Sequence, residues 1–284
     1  VDKNVIGVLY PGEMGAAVGA CLTRRGLGVL WVSAGRSPAT AARAAAAGLR
    51  DVGTASEMAR QAGLILSICP PHSALDVARS AAGFRGIYVD ANAVSPATAH
   101  EIARITEAGG ASYVDAGIIG APPRSPGDTR LYLSGPRAAE VSGLFADTAL
   151  DAQVIGGGIG QASALKMAYA AWTKGTAALI LAVRALARAE GVEQALLAEW
   201  QQSQPALSGR SHTAARSAAE KGWRWVAEMQ EIAATMAAAG LPDGFHLTAA
   251  AIYSRVPHAT TPAPPDEHTL STVIDALLPG GPTG

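Results

Sequence analysis

The sequence predicts an α/β domain built on a parallel sheet, followed by an all-α region. Three observations predict it. Up to about residue 155, short β-branched runs alternate with alanine-rich segments of helical period, the pattern of strands joined by crossover helices. After Gly160 no strand-like run returns. The 284 residues are 49% hydrophobic but only 5% aromatic, enough apolar material for two cores whose helices approach closely through small side chains.

Taken in order, the strands fall at Val5–Tyr10, Val29–Val32, Leu64–Ile68, Ile87–Asp90, Tyr113–Ala116, Leu131–Ser134 and Gln153–Ile155. Helix starts are marked by Ser37 before Pro38, by the capping-box spacing of Thr54 and Glu57, and by Ser95 before Pro96. A long helix is predicted from Gln161 to Glu190, ended by Gly191. Shorter ones follow at Glu193–Gln202, His212–Lys221, Trp223–Ala239 and Leu247–Arg255, with a last amphipathic helix at Leu270–Leu278. The expected division is 1–158, 159–256, and 257–284 as a Pro-rich linker and tail.

A formal net charge of -1, with dispersed lysines and arginines, offers no footprint for nucleic acid. The alanine-rich stretches are read as too often interrupted by charge to span a membrane, and the N-terminus shows no leader pattern. Cys21 and Cys69 lie far apart in apolar surroundings, as suits free thiols in a cytoplasmic protein. The histidines and cysteines lack metal-ligand spacing, so no metal is expected, and no Gly-x-Ser-x-Gly nucleophile motif is present.

Chemistry enters at the first strand, which runs into Tyr10-Pro11-Gly12-Glu13-Met14-Gly15 and then a helix over Ala16–Leu22. Gly12 lets the backbone approach a pyrophosphate, and Gly15 lets the helix pack on the strand, with the anion at the helix N-terminus. Strand, turn and helix stand in the order that a Rossmann-type, doubly wound dinucleotide-binding domain requires, although the motif taken alone fits a tight strand-to-helix turn without a ligand equally well. An NAD-selective fold usually ends its second strand with a carboxylate for the ribose hydroxyls, yet no acidic residue lies between Glu13 and Asp51. Val29–Val32 runs instead into Ser33-Ala34-Gly35-Arg36-Ser37, where Arg36 and Ser37 are placed to receive a 2′-phosphate. NADPH is therefore expected in preference to NAD. Asn92, at the end of a later strand, carries an amide suited to the nicotinamide ribose or carboxamide, or to bracing its own turn.

Over nearly its whole length the chain resembles the β-hydroxyacid dehydrogenase and 6-phosphogluconate dehydrogenase superfamily. Gly12–Gly15 is similar to the family's Gly-x-Met-Gly turn, Cys69-Pro70-Pro71 to its proline-containing loop, and Asp90–Pro96 to its Asp-x-Ser-Thr-x-x-Pro segment. Asp115–Ala121 matches its substrate loop in place, and Gly158-Ile159-Gly160 leads to Lys166 as the family's catalytic lysine motif does. Asp90–Pro96, Leu165–Tyr169 and Gly240–His246 resemble more narrowly a little-characterised bacterial branch of phosphogluconate-dehydrogenase-like NAD(P)-dependent oxidoreductases. The chain departs from the pattern at Tyr10 and Pro11, where the family has glycine and leucine, so that the fixed proline dihedral is expected to set the turn. It departs again at Ile119-Gly120-Ala121, where the family's Ser-Gly-Gly supplies a hydroxyl.

The resemblance implies a homodimeric oxidoreductase acting on a small-molecule carbonyl or the corresponding alcohol. It assigns Lys166 to general acid/base catalysis, with Tyr169 one turn further along the same helix face. Glu13, Met14, Ser33, Cys69, Pro70, Pro71 and Asn92 join Gly12, Gly15, Arg36 and Ser37 on the cofactor side. Ile119, Gly120 and Ala121 fall on the substrate side. Trp225 and Glu228 are substrate-wall candidates, aromatic spacing of that kind being equally a packing pattern. Imine reduction on the same fold and a non-catalytic NADP(H)-binding sensor stay open as alternatives.

Overall fold

A computed structural model describes residues 2–259, 261, 263–264 and 266–279. The chain divides into two compact units, Val1–Met167 and Ala168–Gly284.

The first unit carries β1 (Asp2–Leu9), α1 (Glu13–Arg24), β2 (Gly28–Trp31), α2 (Pro38–Ala46), β3 (Arg50–Asp51), α3 (Ala55–Gln61), β4 (Ala62–Ser67) and α4 (Ala74–Ser80). It continues through β5 (Ile87–Asp90), α5 (Pro96–Ala108), β6 (Ser112–Gly120), β7 (Thr129–Ser134), α6 (Ala138–Gly143) and β8 (Leu150–Val154). The eight strands form one sheet in the order β3-β2-β1-β4-β5-β6-β7-β8. Every pairing is parallel except that of β6 with β7. The sheet is therefore mostly parallel, with its last two strands reversed. The reversal follows from β6 running on past Ala116 to Gly120, after which a short connection folds straight back into β7. Such a turn joins antiparallel strands, whereas a parallel neighbour needs a crossover.

Alternation along the strands builds two cores. Ile6, Val8, Leu64, Leu66, Val89 and Val114 face one side and pack with Val18, Leu22 and Val141. Leu9, Ile65, Tyr88 and Tyr113 face the other and pack with Met58, Val77 and Ile102. Both faces are covered, as a doubly wound sheet requires.

Helix α7 (Gln161–Ala189) starts in the first unit, and the division falls within it. The second unit continues with α8 (Glu193–Ser203), α9 (Ala206–Ala238), α10 (Gly244–Tyr253) and α11 (Glu267–Leu277). Two predicted helices are here one. Gly222 does not interrupt α9, because it is buried against Tyr253 of α10, whose ring atom lies 3.6 Å from where a Cβ would stand. A mid-helix glycine costs about 1 kcal/mol, which tertiary contact readily offsets. Helix α11 begins earlier than predicted because Asp266 caps it, accepting the amide of Thr269 at 2.8 Å. Of the predicted linker and tail, residues 260, 262, 265 and 280–284 lie outside the described residues. The reading of the alanine-rich stretches as too charged to cross a membrane is corrected at α7. That helix is long and apolar enough by length and composition, with a window of mean hydropathy 1.2, half of it buried in the structure.

Candidate functional site

The register of the sheet aligns Leu9, Ser67, Asp90, Asp115 and Ser134 in one row across β1, β4, β5, β6 and β7. For the parallel strands this row marks the carboxyl edge. Chain order reverses between β1 and β4, so the segments following them diverge, and that crevice is where open α/β sheets receive ligands.

At this crevice Tyr10 takes a left-handed φ of 65°, and the amide of Gly12 closes on its carbonyl at 2.8 Å. That bond closes a three-residue turn over Pro11, whose fixed dihedral sits at its centre as expected, while the left-handed Tyr10 leads the strand into it. Gly15 is required by closeness: a Cβ there would stand 2.6 Å from the Tyr10 carbonyl oxygen. A Cβ on Gly12 would meet nothing within 4 Å. Helices α2, α3 and α5 are capped by the hydroxyls of Ser37, Thr54 and Ser95, whereas no side chain caps α1. An uncapped helix start facing free space beyond Gly12 fits a dinucleotide pyrophosphate. Glu13 is exposed, and Met14 packs partly into the core.

The guanidinium of Arg36 lies over the Tyr10 ring, 3.7 Å from its centroid. Ser37 caps α2 by accepting the amide of Thr40. Sequence reasoning missed Asp51 as a neighbour. The register Trp31↔Asp51 brings its carboxylate beside the exit of β2, where the Gly53 amide, with the hydroxyl and amide of Ser33, holds its pKa below the usual range. Ser33, placed on the cofactor side by the resemblance, is thereby directed to Asp51.

Beyond β4 and β5 the structure reassigns Asn92 from cofactor contact to bracing. This buried side chain accepts the amide of Cys69 at 2.6 Å and donates to Ser67 at 3.0 Å and to Asp90 at 2.5 Å. Cys69 and Pro70, with Pro71 opening a 3₁₀ turn, form a half-buried segment held by that amide. Burial pushes the Cys69 thiol up to about 12, which keeps it protonated. Burial likewise raises the Asp90 carboxyl to about 7, against hydrogen bonds from Asn92 and Tyr113.

One strand further on, Asp115 anchors the start of α7. Its carboxylate accepts the amide of Ser163 at 3.0 Å and the hydroxyl of the same residue at 2.6 Å. Ser134 donates to Asp115 and accepts the amide of Ala162 at 3.1 Å. Gly117 completes the seating, since a Cβ there would stand 2.9 Å from both the Ala162 carbonyl oxygen and Lys166 Cβ. Half-buried Lys166 is thereby held against β6 just beyond the aligned row, at the edge from which Tyr10–Gly15 departs. Ile119 and Gly120 lie within β6, not in a loop. Ile119 is buried, Gly120 pairs with Thr129, and Ala121 begins the connection to β7.

Tyr169 and the remaining candidates belong to the helical unit. Tyr169 is exposed. Trp225 packs edge-on against Tyr253, with ring centroids 5.0 Å apart, and Glu228 is ion-paired with Lys174. The Nζ of Lys174 also lies 5.5 Å from the Trp225 centroid. The available signal was the acidic Glu228 inside an otherwise apolar turn.

Residues 5–160 match the NAD binding domain of 6-phosphogluconate dehydrogenase. The chain belongs to that family. Its first unit is an NAD(P)-binding domain, and its fold is one shared with NAD(P)-dependent dehydrogenases. Residues 187–256 match DUF1932, a domain of unknown function. A protein of Methanothermus fervidus, named as an uncharacterized 28.5 kDa protein in the 7S RNA 5′ region, is 33% identical over 164 residues. That stretch is 57% of this chain and 63% of the relative, so the match spans less than two thirds of the relative's length. Among solved structures, a conserved protein of unknown function described as structurally similar to 3-hydroxyacid dehydrogenases is 28% identical, with TM-score 0.65 over 88% of this chain and 96% of that one. The 3-hydroxyisobutyrate dehydrogenase of Salmonella typhimurium shares the fold at 18% identity, with TM-score 0.66 over 89% and 93% of the two chains.

Proposed function

We propose that the chain is an NADPH-dependent oxidoreductase that reduces a carbonyl, or oxidises the corresponding alcohol, on a small molecule. The observation that carries this is the seating of Lys166. Gly117 brings α7 against β6 so that an ammonium stands at the carboxyl edge of a dinucleotide-binding sheet. When bound, the nicotinamide supplies or takes the hydride. The Lys166 ammonium gives a proton to the carbonyl oxygen in reduction, and the amine receives one from the hydroxyl in oxidation. Asp115, Ser134 and Ser163 hold the helix that carries it. Gly12 and the uncapped first turn of α1 receive the pyrophosphate. NADPH is favoured because β2 ends without a carboxylate of its own and Arg36, fixed over Tyr10, offers a cation for the 2′-phosphate. In this proposal the protein works as a homodimer, with Tyr169, Trp172, Leu179 and Leu186 exposed on α7. Light scattering that finds only monomer at micromolar concentration refutes the dimer.

The test is NADPH consumption over ketoacids, aldehydes, ketones and cyclic imines, first with the native chain and then with Lys166→Met. The variant keeps the apolar stem, so it should fold and bind NADPH while turnover falls by about 10²-fold or more, the scale of a lost general acid. Near-native turnover removes Lys166 from the chemistry. NADPH binding without turnover on any substrate favours a sensor. Arg36→Ala should weaken NADPH by about 10-fold and leave NADH unchanged, the size of one charge-assisted contact.

A further inference from the structure

A chain of buried groups leads from the sheet to the segment after β4. Asp90 receives three donors: the Asn92 amide at 3.2 Å, the Asn92 side-chain nitrogen at 2.5 Å and the Tyr113 hydroxyl at 3.1 Å. The same Asn92 side chain, through its oxygen, holds the Cys69 amide at 2.6 Å. Asp90 and Asn92 are almost completely buried. We propose that Asp90 is a positioning residue whose charge sets how firmly Asn92 holds the Cys69–Pro71 segment, so that dinucleotide affinity follows the ionisation of a carboxylate that makes no contact with the dinucleotide. The affinity half of the proposal rests on the NADPH assignment above.

Both Asn92 donors end on the same carboxylate oxygen, Oδ1, while the Tyr113 hydroxyl takes Oδ2 and can turn round to accept a proton placed there. A neutral carboxyl accepts the Asn92 donors more weakly than a carboxylate does, so protonation loosens the hold on Asn92. The titratable groups facing Asp90 are Asp115 and Tyr113 from β6, Tyr88 from β5 and Cys69 from the segment after β4. Burial and the like charge of Asp115 oppose ionisation, while the Asn92 and Tyr113 bonds favour it. These opposing influences leave the carboxyl titrating near neutrality, where a modest change of pH alters its charge.

Two measurements test this. Hydrogen exchange of the peptide covering Cys69, on the protein without ligand and corrected for the intrinsic effect of pH, should show less protection at pH 6 than at pH 8. Equal protection overturns the proposal. NADPH titration by fluorescence at the same two pH values should show affinity weakening by about five-fold on acidification, the equivalent of one ordinary hydrogen bond, beyond any change in Asp90→Asn. Asp90→Asn should bind more weakly at pH 8 and lack that part of the pH dependence. Parallel profiles for the two proteins make Asp90 merely structural and overturn the affinity link. If NADPH fails to bind at any pH, the cofactor assignment falls and the affinity link with it, while the exchange measurement, which needs no ligand, still decides whether Asp90 controls the segment. Should Asp90→Asn fail to fold, exchange on the native chain decides in the same way.

Discussion

The two units handle buried polar groups differently. In the sheet unit they form a row across the sheet: Ser67, Asp90 and Ser134 end their strands, stand in line with Asp115 inside β6, and with it bind amides and hydroxyls of the segments around that row. In the helical unit they are ion pairs between helices, Lys174 with Glu228, and Arg184 with Glu193, which also pairs with Arg188. The first arrangement fixes the course of loops and of the start of α7. The second fixes helix against helix. A buried backbone amide leaving a strand end needs a partner outside the ladder, and the polar residues of this row supply one to Cys69, through Asn92, and to Ala162 and Ser163. Paired charges between helices add little net stability over apolar contacts, yet removing one partner leaves the other buried and uncompensated.

The largest effect expected from this contrast is at Arg184. Its side chain is 1% exposed and reaches Glu193 at 2.7 Å and Ser211 at 2.9 Å. Removing one member of a buried pair costs about 3–5 kcal/mol. Glu193 keeps Arg188 at 3.0 Å, so Arg184→Met should fall at the low end, about 3 kcal/mol by urea unfolding. A loss below about 1 kcal/mol would mean that the helical unit is held by its apolar contacts and that the charges are incidental.

In the sheet unit the corresponding probe is pH. The Asp90 carboxyl is raised from 3.8 to about 7 in the folded chain, chiefly by burial. Between those values the folded protein keeps a proton that the unfolded chain has released, so this group's contribution to stability declines as pH rises from about 4 to 7 and is level above. Asp90→Asn lacks the titration. Its stability relative to the native chain should therefore improve on going from pH 5 to pH 8, and a constant difference across that range would show that the carboxyl titrates normally.

How much of this was legible follows from where each signal lives. Strand alternation, hydroxyl-before-proline starts and capping-box spacing are local, and they located seven strands and the caps Ser37, Ser95 and Thr54. The two-residue β3 is too short to carry a period, and the reversal of β7 depends on where β6 ends. The turn Tyr10–Gly15 and Lys166 were recognisable from spacing and resemblance. What Asn92 and Ser33 bind was not, because Asp51 and Cys69 reach them only through strand register. Lys174 and Glu228 meet across a separation of 54 residues, with no local pattern to announce it.

The smallest expected effect is at Tyr10, where opposing contributions nearly cancel. Its left-handed φ of 65° costs a non-glycine residue about 1–2 kcal/mol, which Tyr10→Gly removes. Glycine brings back about 0.5–1 kcal/mol of chain entropy lost on folding. The ring under Arg36 contributes a further 0.5–1 kcal/mol or so that the variant forfeits. Stability should therefore change by less than about 1 kcal/mol in either direction. Ligand binding should not be neutral, since Arg36 loses the surface that fixes it: NADPH affinity should fall by about two- to five-fold and NADH affinity hardly at all. The strained conformation is then retained for what the ring holds over the crevice. Were the variant instead destabilised by more than about 2 kcal/mol with NADPH affinity intact, Tyr10 would be a packing residue, and its left-handed bend a by-product of the core beneath it.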